Sequence, residues 1–236
     1  LDNGLIRRTF VLAPAFATVA LDSLPDGRSV LRAVRPEATL TIDGVELRIG
    51  GLRGQPNHAW LQRDWLAAMS ADPTAFVLVD WSLGPTLAPF AWRRTRPAEA
   101  ARPWPAPGVR LSLRFAPPQP LEGGAASPAL EVELQYELYD GIPAVEKRLV
   151  VKNRGSSTVR LDTVCVEKLA CVETENLVEA ERDWRLPDLD VFSDFAFGGM
   201  SHKDSNRVAH WVAAPEHLPQ VNYQRRTPCL LEVRPP

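Results

Sequence analysis

Long apolar runs are absent from this chain. A membrane-crossing helix needs about 18–20 consecutive apolar residues, and no run of that length occurs. A surplus of either charge is absent too, since 27 lysines and arginines face 29 aspartates and glutamates. The arginines are scattered and form no long basic run. Such a balance leaves no electrostatic footprint for nucleic acid or an anionic membrane, so neither is an expected partner. Cysteine is scarce, with three residues, and builds no disulfide framework. In one straight strand Cys165 and Cys171 would stand roughly 20 Å apart, beyond bridging distance. Cys229 pairs with one of them only if the fold brings it there. All three are read as small buried hydrophobes, and they fix no compartment.

Familiar catalytic signatures are lacking as well. There is no Gly-x-Ser-x-Gly elbow, which removes that route to a serine nucleophile. The cysteines sit in apolar strand contexts, where a thiol is not activated. The "GGLRG" at Gly50–Gly54 precedes no Lys-Ser/Thr, so it is no phosphate loop. No cofactor is implied. No repeat with a period of about 20–50 residues is found. The opening "LDNGLIRR" has no Met, charged n-region or apolar h-region, unlike a signal peptide. The expectation is a segment of a longer chain, with its localisation left open.

What is present is strand. The composition is 45% hydrophobic and 24% charged, which is ordinary for a globular protein. The length suits one large all-β domain, and residues 1–236 are read as one. "GLIRRTFVL" and "FATVALD" are two β-rich runs, and "LPDGR" after them carries turn chemistry. "EATLTIDGVELRI" is a hairpin centred on Asp43-Gly44. Leu61, Trp65, Ala68 and Met69 recur at helical spacing, which predicts one short helix near Ala59–Met69 with Asn57 as its cap. Trp65 is assigned to the core, with a neighbouring domain or a second subunit as the other candidate for its packing. "AFVLVDWSL", "VRLSLRF" and "PCLLEV" are strands. The Pro-rich Arg96–Gly108 and Ala116–Pro128 stretches are surface excursions.

The cleanest alternation lies at Val132–Leu138. Val132, Leu134, Tyr136 and Leu138 share one face, and Glu131, Glu133, Gln135 and Glu137 share the wet one. After "DGIP", Val145, Leu149 and Val151 return on the buried face. Arg148 and Lys152 stand ready to pair with the glutamates across the ladder. With "VRLDTVCVEKLACVE" as the next strand, the expected result is a three-strand meander. Short strands at regular spacing predict a sandwich, and the length favours a large two-sheet one.

Two stretches then carry a resemblance. "NGLIRRTFVLAPAFATVAL" and "YELYDGIPAVEKRLVVKNRGSSTVRLD" resemble the N-terminal β-supersandwich of glycoside hydrolase family 36 (α-galactosidase-like) and, more loosely, family 31. The tail from Phe195 to Pro236 is similar to the end of that domain. The resemblance implies a galactose-mutarotase-like fold that packs on a (β/α)₈ barrel of the same chain, with a carbohydrate substrate. It places both catalytic carboxylates on the barrel, about 5–5.5 Å apart in a retaining enzyme. No catalytic residue is assigned in this chain.

The remaining candidates lie toward the C-terminal end. Mutarotases share the implied fold and use histidines with a carboxylate as acid and base. His202 and His210 can do this work near neutral pH, with Asp204, Glu167 or Glu173 beside them. The spacing of His202, Asp204 and His210 matches no tight metal-ligand pattern, so no metal is assigned. Trp211, Tyr223 and Trp184 offer aromatic faces for a sugar ring, and Asn222 and Arg225 offer hydroxyl partners. The readings carried forward are an accessory domain, a mutarotase-type epimerase and a carbohydrate-binding module. The first should display a broad apolar patch for its barrel.

Overall fold

A computed structural model describes residues 1–56, 61–93, 103–118, 129–172, 209–213 and 229–233. The chain divides into two compact units, Leu1–Gln55 with Leu61–Ala170, and Pro56–Trp60 with Cys171–Pro236. The described residues are mostly β-strand in antiparallel sheets. No helix among them is long and apolar enough to cross a membrane.

The first unit opens with β1 (Ile6–Val11), β2 (Ala17–Ser23) and β3 (Arg28–Ser29), hydrogen-bonded in that order. A short strand, β4 (Leu31–Ala33), follows. Next come β5 (Ala38–Ile42) and β6 (Val45–Ile49), joined through Asp43 and Gly44 at φ of 49° and 80°. Both central residues of a type I′ turn need positive φ, which glycine adopts without strain and aspartate tolerates. The short strands β7 (Leu52–Arg53) and β8 (Ser70–Ala71) pair with each other. Between them, a 3-10 helix occupies Arg63–Ala68.

This helix is shorter and tighter than the one expected over 59–69. Its bonds run three residues back, from the Trp65 N–H to the Gln62 carbonyl and from the Met69 N–H to the Leu66 carbonyl. Gln62 occupies the cap position and makes no side-chain capping bond. Asn57, Ala59 and Trp60 lie outside the described residues. Packing fixes this turn: Leu61, Trp65 and Leu66 rest on a small cluster of Ala17, Val34, Leu52 and Met69.

The main sheet is the meander β9 (Val77–Pro85), β10 (Gly108–Ala116), β11 (Leu130–Tyr139) and β12 (Val145–Asn153), ordered β12-β11-β10-β9. Val132, Leu134, Tyr136 and Leu138 are at most 1% exposed, as the alternation predicts. Gly108 begins β10 where a Cβ would sit 2.2 Å from the Leu138 carbonyl oxygen, so only glycine fits.

The strand β13 (Leu161–Cys165) corrects the expected meander. It pairs with β5, giving the order β13-β5-β6, and among the described residues β12 pairs with β11 alone. The cause is the connection. Asn153 folds back on Gly155 and Ser157, and residues 154–160 then carry the chain to the other sheet. A tight hairpin is two to five residues, whereas this span can cross the roughly 10 Å between packed sheets. Val159 joins the shared core on the way.

That core lies between the two sheets. Leu40, Ile42, Leu47 and Ile49 come from one, and Leu111, Leu113, Phe115, Val132, Leu134 and Tyr136 from the other. Phe16 and Phe76 fill the space between, and the rings of Phe10, Phe16 and Tyr136 are in contact. The short β14 (Ala170–Cys171) ends the described part of this region. Cys165 and Cys171 are half-buried, less enclosed than expected, and the Cys165 thiol donates to the Glu167 carbonyl at 3.3 Å.

In the second unit, β15 (Ala209–Ala213) pairs with β16 (Cys229–Val233). The register places His210 opposite Glu232 and Trp211 opposite Leu231.

Candidate functional site

The sheet of β11 and β12 separates two polar systems. On its core face, Lys147 stands in phase with Val145, Leu149 and Val151 and opposite Tyr136. Arg8 on β1 and Glu37 at the entrance to β5 reach the same point. Glu167, from the stretch between β13 and β14, completes the group. Two cations and two carboxylates meet there, and their formal charges cancel. Moving an unpaired ion out of water costs several kcal/mol, so such a group persists only when paired and hydrogen-bonded.

The bonding meets that condition. Glu37 accepts from the Thr18 backbone N–H, the Thr18 hydroxyl, the Tyr136 hydroxyl and Arg8 Nη2. Arg8 Nε donates to the Thr18 hydroxyl at 3.0 Å. Arg8 Nη1 and Nη2 donate to the two Glu167 oxygens at 2.7 and 3.2 Å. Lys147 Nζ donates to Glu167 Oε1 at 2.9 Å and to the Glu37 backbone carbonyl. Both cations lie over the Tyr136 ring, Arg8 at 4.6 Å and Lys147 at 5.1 Å from its centroid, which adds a cation–π attraction.

The environment shifts these groups in physically distinct directions. Burial pushes the Lys147 ammonium below its ordinary pKa, against the pull of Glu37 and Glu167. Burial, with the Glu37 charge beside it, holds the Tyr136 phenol well above its usual value. Burial opposes the Arg8 charge, but Tyr136, Glu167 and Glu37 outweigh it and keep the guanidinium protonated. The Tyr136 hydroxyl is committed to Glu37, and both Glu37 oxygens are occupied. The group therefore presents no idle acid or base; its chemistry is carboxylate recognition by an arginine and a lysine.

The opposite face carries the second system. Lys152 Nζ lies 3.3 Å from Glu131 and 3.3 Å from Glu133, the ladder pairing expected from the alternation. Arg154 reaches Glu131 at 3.1 Å, and Arg114 reaches Asp80 at 2.9 Å. Arg154 and Lys152 hold the Glu131 carboxyl below its ordinary pKa. With Ser82 and Ser112, these side chains line an open depression of about 340 Å³. Its volume falls at the small end of ligand sites, about 300–1,000 Å³.

At the far end of this face Glu137 departs from expectation: it is 2% exposed, not wet. Its carboxylate accepts from the Leu87 N–H at 2.9 Å and from the Tyr139 hydroxyl at 3.2 Å. The chain that leaves β9 folds over it. Tyr139 also bonds Glu146, which holds Arg148. The hydrogen bond from Arg148 draws the Glu146 pKa down.

A third feature is apolar. Val77, Val79, Trp81 and Leu83 of β9 are each at least half exposed. Among the described residues, β9 is the last strand of its sheet. Nearby in sequence, exposed Phe90 and Trp92 pack against Trp104, with ring centroids 5.2 and 5.5 Å away.

Of the candidate acid–base and sugar-contact residues read from the sequence, Glu167 enters one of these systems, and there it is bound to Arg8 and Lys147. Trp211 and His210 are adjacent residues of β15. His202, Asp204, Asn222, Tyr223, Arg225, Glu173 and Trp184 lie outside the described residues. Arg8, Glu37 and Lys147 were missed. The available signal was charge in an apolar phase: Arg8 alternates with Ile6 and Phe10, and Lys147 with Val145 and Leu149. The chain matches no protein-family model, no curated protein and no solved structure.

Proposed function

We propose that this chain is a noncatalytic accessory domain of a carbohydrate-active protein, a galactose-mutarotase-like β-supersandwich that buttresses a (β/α)₈ glycoside hydrolase barrel. The exposed apolar residues of the edge strand β9, Val77 before its bulge and Trp81 and Leu83 after it with Val79 between, carry the reading. An edge strand with this much exposed apolar side chain suits a docking surface better than a free one. The ionic groups of the first unit agree with this role, because the interior ones are committed to one another.

The test is hydrolysis of a panel of aryl α- and β-glycosides by this chain and by the full product of its gene. Activity confined to the longer protein is expected, and the sugar released identifies the substrate class. Activity in this chain alone would overturn the accessory role.

A second reading, a carbohydrate-binding module, is favoured by the depression on the outer sheet face. Paired carboxylates and cations around about 340 Å³ offer acceptors and donors to neighbouring sugar hydroxyls. Sugar titrations separate the two versions of this reading. Loss of affinity in Glu133→Ala would place the sugar in the depression, whereas loss in Trp211→Ala would place it at β15.

A further inference from the structure

Three of the four interior charges are fixed by strands or their ends: Arg8 by β1, Lys147 by β12 and Glu37 at the start of β5. Glu167 differs. It comes from the short stretch between β13 and β14, and its side chain is 29% exposed, against 4% for Arg8 and 7% for Lys147. Without it the interior would hold two cations and one carboxylate. Glu37 could not make up the difference, because Thr18, Tyr136 and Arg8 already engage its oxygens. The donors left without their acceptor would be one guanidinium edge and one N–H of the Lys147 ammonium, which keeps the Glu37 carbonyl and stands 3.7 Å from the Glu37 carboxylate. In the intact chain they take both oxygens of one carboxylate, at 2.7, 3.2 and 2.9 Å. A planar guanidinium fork gripping both oxygens is the geometry that selects carboxylates.

We propose that Arg8 and Lys147 form a carboxylate-binding site that the chain occupies with its own Glu167. The ligand class is a small monocarboxylate, of which the Glu167 side chain is a tethered copy. Tethering holds that copy at an effective concentration in the millimolar range or above. The site is therefore closed to free carboxylates while Glu167 stays docked, and open when its side chain is cut back. Glu167→Ala removes one methylene and the carboxylate, a volume that acetate matches. The inference does not depend on the carbohydrate reading.

The experiment is urea unfolding of the wild-type chain, Glu167→Ala and Glu167→Gln. Each is measured in sodium acetate, in sodium chloride of equal ionic strength, and with acetamide. Glu167→Ala is expected to unfold at lower urea in chloride. Acetate at ten times its dissociation constant should then raise its folded-to-unfolded ratio about elevenfold. The wild type and Glu167→Gln, whose sites are filled, should not distinguish acetate from chloride. The proposal is overturned if chloride or acetamide restores Glu167→Ala as well as acetate does. An equal response to acetate in the wild type overturns it too. The double variant Lys147→Met/Glu167→Ala removes one charge of each sign and should fold with a smaller response to acetate, because only the Arg8 fork remains. An undiminished acetate response there, or failure of Glu167→Ala to fold even in acetate, also overturns the proposal.

Discussion

The two faces of the sheet formed by β11 and β12 carry nearly the same chemistry in opposite settings. On the inner face Arg8, Lys147, Glu37 and Glu167 form a closed, charge-neutral group under a tyrosine ring. On the outer face Glu131, Glu133, Lys152 and Arg154 form ion pairs of similar length on a solvent-facing surface, where the two cations are well exposed and the glutamates partly so. Composition does not distinguish them; solvent does. Inside, Arg8, Lys147 and Glu37 are cut off from water, so a charge abandoned among them has none to return to; Glu167 alone of the four keeps an edge to solvent. Outside, water replaces either partner, and the ladder of side chains adds little to the fold.

The sharpest way to break the comparison is Glu37→Ala. It strips the carboxylate that serves Thr18, Tyr136 and Arg8, and leaves two buried cations with one counter-ion. A loss of about 3–5 kcal/mol is expected, read from the urea midpoint. A cost below that of an ordinary surface change would mean that water enters the group.

Tyr136→Phe should cost less, about 1–3 kcal/mol, because it leaves one Glu37 oxygen short of a donor. It also carries a pH signature. The native phenol ionises well above 10 and the unfolded one near 10. Its contribution is therefore intact below pH 10 and is lost as the pH climbs toward the native value. Lys147 works the other way: burial lowers its native pKa, so stability rises with pH up to about 10.5, where the unfolded lysine titrates. Unfolding midpoints between about pH 9 and 11.5 should fall in the wild type above 10. In Tyr136→Phe that fall should shrink and expose the rise due to Lys147.

The smallest effect belongs to the outer face. Glu131→Gln and Lys152→Met, alone and together, should leave the urea midpoint unchanged within error. Any coupling between them should vanish near 1 M salt, where the screening length is about 3 Å. A coupling that survives salt would show that the outer pairs are shielded like the inner ones.

Much of the fold was readable because local rules agree with it. The alternation of Val132–Leu138 gives the buried face, and Asp43-Gly44 gives its hairpin. The partner of β13 was not readable. Consecutive strands usually pair, which favours β12, and only the length of residues 154–160 hinted at a crossing. The helix near residue 65 was misjudged because helical spacing also describes a single packed turn. The inner charges were half legible. Arg8 and Lys147 betray themselves by sitting in apolar phase, but their carboxylates lie far along the chain, and no local pattern names them. Glu137 was placed in water because alternation reports the face of a strand and not what later folds over it.

The distance between Arg8 and Glu167 has a temporal meaning. They are 159 residues apart, and a ribosome adds about 5–20 residues each second. For roughly ten to thirty seconds of synthesis, the arginine of the first strand exists before the glutamate that will bind it. Nor can β5 meet β13 in that interval. The β1–β2 and β5–β6 pairs draw only on early residues, whereas the ionic group and the β13 edge of the sheet are completed only by late ones.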